Sequence, residues 1–429
     1  METNKQNRWL IAIMCTMLMI VLGTVYAWSF FQKLIVSEFG WSNSEVAWAF
    51  STSIAFIGFA AAWGGINMPK YGPKKLAIIG AVMYGLGYIL AGLAFKISSL
   101  PLLIVGFGLV GGIGLGLGYV TPVVSASKWF PDKQGLVTGM VVMGFGFGAL
   151  IMSKIIAPAM MSLANQSLIS GFLYIGIVLL VLGVISAFFV QFPPADYVPA
   201  GYTPPAPTGS GHPAPGAAKA APIDFTAGMA IKSSKFFIMW MLLFINVTAG
   251  IMFIGFQSPL MQDLWAAYRP GTDAIALASI GATLIAVSSL FNGIGRFFWG
   301  GMSDKIGRVQ TFRWLLGTQI VIFIILLFVN NPFIFGILVC YILLCYGGGF
   351  GTMPSFVRDV FTARLMPVVY GTILIAWSAA GVVGPQIVAV MKDRFPDNAS
   401  NYSFTIGAAL LALGLLLSFF INNKPITDN

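Results

Sequence analysis

Apolar runs of about 20 residues, parted by short polar or basic breaks, recur along the whole chain. A run of that length crosses a bilayer as an α-helix rising about 1.5 Å per residue. Twelve such helices are predicted, at 8–31, 44–68, 75–96, 100–126, 134–158, 168–190, 235–262, 274–301, 310–330, 332–356, 367–392 and 401–423. Lys5 and Arg8 precede the first run in the manner of a secretion signal. The run then continues without a small-residue cleavage site, so it reads as a retained helix. Between the sixth and seventh runs the pattern stops. "FPPADYVPAGYTPPAPTGSGHPAPGAAKAAP" is rich in Pro, Gly and Ala, which makes a flexible, partly extended linker with no core. The expected organisation is a six-helix unit at 1–190, a linker at 191–234 and a six-helix unit at 235–429.

Composition agrees with an all-α membrane protein: 58% of the 429 residues are hydrophobic and 8% are charged. The net charge of +10 invites a nucleic-acid reading. Its distribution argues against that. Lys33, Lys96, Lys154, Arg269, Lys392 and Arg394 fall on one side of the spans and Arg296 falls within one. The remaining basic residues share the side of the termini, which predicts a multi-pass protein of the cell membrane with both termini cytoplasmic. The one histidine, His212, lies in the linker, which excludes a His relay or His metal site within the spans. Cys15, Cys340 and Cys345 sit in apolar runs with no zinc or disulfide spacing and read as small buried residues. The spans hold no catalytic His, Cys or paired-carboxylate cluster. An enzyme is not expected, and neither is a cofactor.

The two halves echo each other. "WGGINMPKYGPKK" follows the second run and "WGGMSDKIGRVQ" follows the eighth. The second contains G-x-x-x-D-K-x-G-R as Gly300, Asp304, Lys305, Gly307 and Arg308. The first keeps Gly65, Lys70 and Gly72 but has Pro69 for the acid and Pro73 for the arginine. "GYVTPVVSASKWFPDKQGLVTG" similarly matches "FGTMPSFVRDVFTARLMPVVYG" through Pro122 with Pro354 and Gly139 with Gly371. Parallel six-helix repeats imply a two-fold axis along the membrane normal and a site between the halves. The loop motif, the repeat and the twelve runs resemble the major facilitator superfamily across the whole chain. Within it, "KWFPDKQGLVTG", "KYGPKK" and "FNGIGRFFWGGMSDKIGR" are similar to the oxalate/formate antiporter family and to bacterial monocarboxylate (L-lactate-type) transporters. The resemblance implies alternating access by two rocking bundles. It makes Gly300, Asp304, Lys305 and Arg308 gating residues, with Asp304 a latch to a neighbouring helix. The alternative is an interfacial charge cluster that sets topology.

Arg296 has a different setting. It lies eight residues before Asp304, about 12 Å deeper in the membrane. Its side chain reaches only about 6–7 Å, and Phe297, Phe298 and Trp299 stand between it and the surface. A buried cation costs several kcal/mol unless paired. Yet all 13 acidic residues fall in loops, termini, the linker or span ends. A ligand carboxylate is the economical partner, matched by the guanidinium fork, with Asn292 one turn earlier as a further donor. The competing reading is a structural arginine held by backbone carbonyls at a helix break.

The resemblance sharpens the ligand. Oxalate antiporters carry a second cation, a lysine six residues after Y-G in the eleventh span. Here Tyr370 and Gly371 lead to Trp377. A dianion facing one arginine would leave a charge uncompensated. The expected substrate is therefore a small monocarboxylate such as lactate or pyruvate, with oxalate/formate exchange as the alternative. By the same resemblance Tyr26, Tyr119, Phe145, Tyr346 and Phe350 line the pocket, although a lone ring is more often packing than ligand contact. Glycine runs such as "GGIGLGLG" and "GFGFG" lack a preceding strand and a Walker lysine, and read as close helix packing. Proton symport is the family-typical coupling, but no acid lies in a span to carry the proton. Asp273, about 35 Å along the helix from Arg296, reads first as a helix cap and second as part of an outer proton path. The partners expected are the monocarboxylate, H+ and the lipid bilayer, with no nucleic acid and no required oligomer.

Overall fold

In the computed structural model, residues 7–130, 132, 134–194, 197–199 and 226–424 are described. Among the described residues, twelve helices are long and apolar enough to cross a membrane. In chain order they are α1 Arg8–Phe39, α2 Asn43–Tyr71, α3 Pro73–Lys96, α4 Leu100–Trp129, α5 Gly139–Leu163, α6 Leu168–Ala187, α7 Ser234–Tyr268, α8 Ala274–Ile306, α9 Arg308–Leu326, α10 Pro332–Phe361, α11 Val368–Arg394 and α12 Pro396–Phe420. Each predicted run lies on one of them.

Several ends differ from expectation. α1 continues past 31 because Gln32–Phe39 remains helix-compatible until Gly40, whose φ of 68° ends it. That puts Lys33 on the helix. α7 likewise extends to Tyr268, which places Asp263 within it. The loop expected between α10 and α11 is helical, and the backbone stays helical from Pro332 to Ile373. Arg358–Leu365 holds no glycine or proline to break it. The linker carries one short helix, Ala227–Lys232, with a Thr226 cap. Residues 200–225, with His212, lie outside those described.

The repeat shows in the backbone. Gly72 joins α2 to α3 at φ 78° and ψ 153°, and Gly307 joins α8 to α9 at φ 88° and ψ 153°. Only glycine adopts that conformation without strain. The first six spans meet the last six mainly where α2 packs on α11, α5 on α8, and the later part of α1 on α7. Small residues permit these approaches. Gly58 faces Ser378, Gly381 faces Ile54, and Gly146 faces Gly293. In α4, Gly112 and Gly116 abut the α2 backbone, the packing role read from its glycine run.

Candidate functional site

Where the halves meet at mid-span, six aromatic side chains form a closed circuit. Tyr26 of α1 is edge-on to Phe145 of α5 at 5.0 Å. Phe145 meets Tyr119 of α4 at 5.3 Å, and Tyr119 meets Trp377 of α11 at 5.5 Å. Trp377 meets Phe350 of α10 at 5.1 Å, and Phe350 meets Tyr346 at 5.3 Å. The Tyr346 hydroxyl lies 2.6 Å from that of Tyr26, which closes the circuit. The circuit passes between halves twice, at Tyr119–Trp377 and at Tyr26–Tyr346. Edge-to-face geometry holds such rings beyond their burial alone.

Arg296 of α8 enters this cage. Its guanidinium sits 5.2 Å from the Phe350 ring centre, a cation–π contact. Tyr119, Tyr26 and Tyr346 are its electrostatic neighbours. Only 9% of the residue is exposed. No described carboxylate lies within ion-pair distance, and Nε has no hydrogen-bond partner. Trp377 Nε1 also lacks a partner at hydrogen-bond geometry, although Tyr346 is near it. Asn292, one turn before Arg296, is buried with Oδ1 unpartnered, and its backbone is pressed against Gly347 of α10. Gly351 presses likewise on the Arg296 backbone. These two glycines let α8 and α10 approach closely enough to set the arginine beside Phe350. The eight predicted binding residues thus share one neighbourhood, seven in the cage and Asn292 on its α8–α10 wall.

Tyr370, on α11 seven residues before Trp377, is also an electrostatic neighbour of Tyr119 and Arg296. It was not assigned from sequence. Its spacing to Trp377 places both on one helical face, which is a readable sign. A separate apolar groove of about 540 Å3, lined by Met261, Trp265, Val287, Phe291 and Tyr341, lies among α7, α8 and α10 and has no charged lining residue.

The gating loop is a separate cluster. Arg308, 8% exposed, pairs with Asp304 at 2.6 Å and through Nε with Asp359 at 3.0 Å, and donates to Ser303 Oγ. Asp359, on the extension of α10, was not foreseen. Asp304 reaches the start of α9, within its own half. Lys305 makes no ion pair among the described residues. Gly300 faces Gly351. Asp273 is a helix cap, accepting from the Ala276 backbone N–H.

The two faces of the molecule differ. On the face away from Arg8 and Lys424, Asp263 of α7 binds both Lys33 of α1, at 2.8 Å, and Lys392 of α11, at 2.6 Å. Asp393 accepts from the Asn43 and Ser44 backbone N–H groups at the start of α2, each at 2.8 Å. Lys154 of α5 donates to Thr283 of α8 at 2.6 Å. All of these except Lys392–Asp263, which lies within the second half, tie one half to the other. On the opposite face, the Arg8–Asp132 and Arg308–Asp359 pairs each stay within one half.

The chain is 25% identical to the oxalate:formate antiporter of Oxalobacter formigenes over 97% of this chain and 91% of that protein. It is 28% identical to apicoplast pyruvate carrier 1 of Toxoplasma gondii over 77% of this chain and 66% of that protein. The fold matches the crystal structure of a D-xylose-proton symporter with a TM-score of 0.71, at 14% identity and covering 97% and 99% of the two chains. The family description Major Facilitator Superfamily matches residues 10–385. The chain belongs to the Major Facilitator Superfamily.

Proposed function

We propose that this protein moves small monocarboxylates, lactate or pyruvate in kind, across the cell membrane by alternating access, coupled to protons. The observation that carries this reading is Arg296: a cation nine-tenths buried at mid-span, with no described carboxylate in reach and a free Nε. A carboxylate on that guanidinium neutralises it bidentately. Trp377, Phe145 and Phe350 surround the rest of the ligand with apolar faces, which suits a short alkyl end and supplies no second cation for a dianion. The pyruvate carrier among the relatives is in keeping with this class.

The halves 1–190 and 235–429 act as the moving bodies, joined by the linker 191–234. With the termini in the cytoplasm, as the loop charges argue, the contacts of Asp263 and Asp393 fasten the outer side. The arrangement is then the one closed to the outside. The Asp304–Arg308–Asp359 cluster belongs to the inner gate. A second reading, exchange of oxalate and formate, has the antiporter relative in its favour.

Counterflow in proteoliposomes separates the two. Labelled lactate is loaded against lactate, pyruvate, acetate, formate and oxalate, with and without a pH gradient. The proposal expects trans-stimulation by the monoanions, none by oxalate, and net uptake that grows with an inward proton gradient. Strong stimulation by oxalate moves the assignment to exchange, and uptake indifferent to the gradient removes proton coupling.

A further inference from the structure

Tyr26 reaches Tyr346 because α1 is not a uniform helix. Its α-helical hydrogen bonding ends at Gly23, a 3₁₀ turn occupies Thr24–Ala27, and the α-helix resumes at Trp28. A 3₁₀ turn advances about 120° per residue against about 100° in an α-helix. Over four residues the chain is rotated by about 80° relative to an unbroken helix. That rotation decides where Tyr26, in the middle of the turn, aims its ring.

Composition does not call for this break, since "TVYA" contains neither glycine nor proline. Two outside contacts meet it. Gly23 is pressed against the Phe145 carbonyl of α5, and Gly148 of α5 packs back on Gly23. From the other side, α3 supplies Tyr84. The Thr24 hydroxyl donates to the Val21 carbonyl at 2.6 Å and lies 2.7 Å from the Tyr84 hydroxyl. Tyr84 in turn lies 3.5 Å from the Tyr88 hydroxyl. All three side chains are buried, Thr24 entirely. Hydroxyls in that setting hold their partners, because losing one leaves a polar group unpaired away from water. Neither Thr24 nor Tyr84 belongs to the aromatic circuit. Both act on it from behind.

We propose that the Thr24–Tyr84 hydroxyl pair is a positioning device: it holds the 3₁₀ turn of α1, aims Tyr26 at Tyr346, and so sets the affinity of the cage for its carboxylate. The proposal rests on the cage being the substrate site. Tyr84→Phe and Thr24→Val each remove one hydroxyl with little change of shape, while Thr24→Ser keeps it. The other titratable side chain facing this pair is Tyr88, which loses its Tyr84 partner in Tyr84→Phe but not in the Thr24 variants.

The test is a double-mutant cycle on KM for labelled lactate in proteoliposomes. Tyr26→Phe and Tyr84→Phe are each expected to raise KM by about five-fold, the worth of one neutral hydrogen bond, with maximal rate held within about two-fold. The double variant is expected to match Tyr26→Phe alone, because Tyr84 acts through Tyr26. Thr24→Val should reproduce Tyr84→Phe, and Thr24→Ser should restore the parent KM. Additive losses in the double variant, or an unchanged KM in Tyr84→Phe, overturn the proposal. So does an unchanged KM in Tyr26→Phe where Arg296→Lys is inactive, a result that leaves the carboxylate site standing. Normal lactate transport by Arg296→Lys overturns the site reading itself, and the proposal with it.

Discussion

Arg296 and Arg308 belong to one stretch of sequence and are almost equally buried, at 9% and 8% exposure. Their surroundings are opposite. Arg308 meets two carboxylates and a hydroxyl, from the end of α8 and from Asp359. Arg296 meets the face of Phe350 and the hydroxyl dipoles of tyrosines, and no described acid. Removing a guanidinium from water costs several kcal/mol, which only well-placed partners offset. Arg308 has that compensation built in, from Asp304, Asp359 and Ser303. Arg296 has a cation–π contact, worth about 0.5–2 kcal/mol, and the nearby Tyr119, Tyr26 and Tyr346 hydroxyls; on the proposed function a ligand carboxylate supplies the remainder. Burial alone therefore does not separate these two arginines; the inventory of partners does.

The contrast is broken most sharply by replacing each arginine with methionine, which keeps length and discards charge. Arg296→Met is expected to lower labelled lactate uptake by at least about 100-fold, since two charge-assisted hydrogen bonds to the carboxylate disappear. Its melting temperature in detergent should stay level or rise, because an uncompensated buried charge has been removed. A large drop in melting temperature with residual transport would assign Arg296 to the scaffold.

Arg308→Met should do the reverse. It leaves Asp304 without its cation and Asp359 with only Arg358, at 3.8 Å. Both acids are partly exposed, so water softens the penalty, and a loss of about 1–3 kcal/mol is expected. Thermal unfolding should begin several degrees lower. Lactate binding by the folded fraction, followed by tryptophan fluorescence, should remain at the parent affinity. An Arg308→Met variant that melts normally would show the cluster to be dispensable for stability.

The twelve spans were legible because crossing a bilayer demands about 20 apolar residues in a row, whatever the tertiary contacts. The doubled loop was legible for a local reason: Gly72 and Gly307 occupy a backbone conformation that other residues avoid. Arg296 stood out by subtraction, a cation in a chain without mid-span acids. The aromatic positions came from family resemblance, since a ring in an apolar span carries no mark of what it faces. What stayed hidden depends on distance in sequence or on packing from outside. Asp359 lies far along the chain from Arg308, and Asp263 joins Lys33 and Lys392 only once α1 and α7 are longer than hydropathy indicates. The helical continuation from α10 toward α11 was hidden because interfacial residues such as Arg358 and Asp359 read as loop when charge is the guide. The 3₁₀ turn at Thr24–Ala27 sits against α3 and α5, and "TVYA" itself carries no breaker, so α1 alone could not reveal it.

The finest test of the comparison concerns what Arg296 has in place of an acid. Phe350 touches Arg296, Tyr346 and Trp377 at once, so it links the cation to the aromatic circuit. Phe350→Leu retains apolar bulk and removes the quadrupole. With the cation–π term gone, the guanidinium is less well held in its empty state and less well aimed in its loaded state. Those two effects oppose each other in affinity, because a poorly compensated cation gains more from a carboxylate while a poorly oriented one gains less. Orientation should prevail, since bidentate pairing tolerates little misalignment. The expected result is a KM for lactate raised by about three- to five-fold, smaller than either arginine replacement. Phe350→Tyr, which keeps the ring, should stay within about two-fold of the parent. A lowered KM in Phe350→Leu would mean that Phe350 competes with the substrate for Arg296 instead of presenting it.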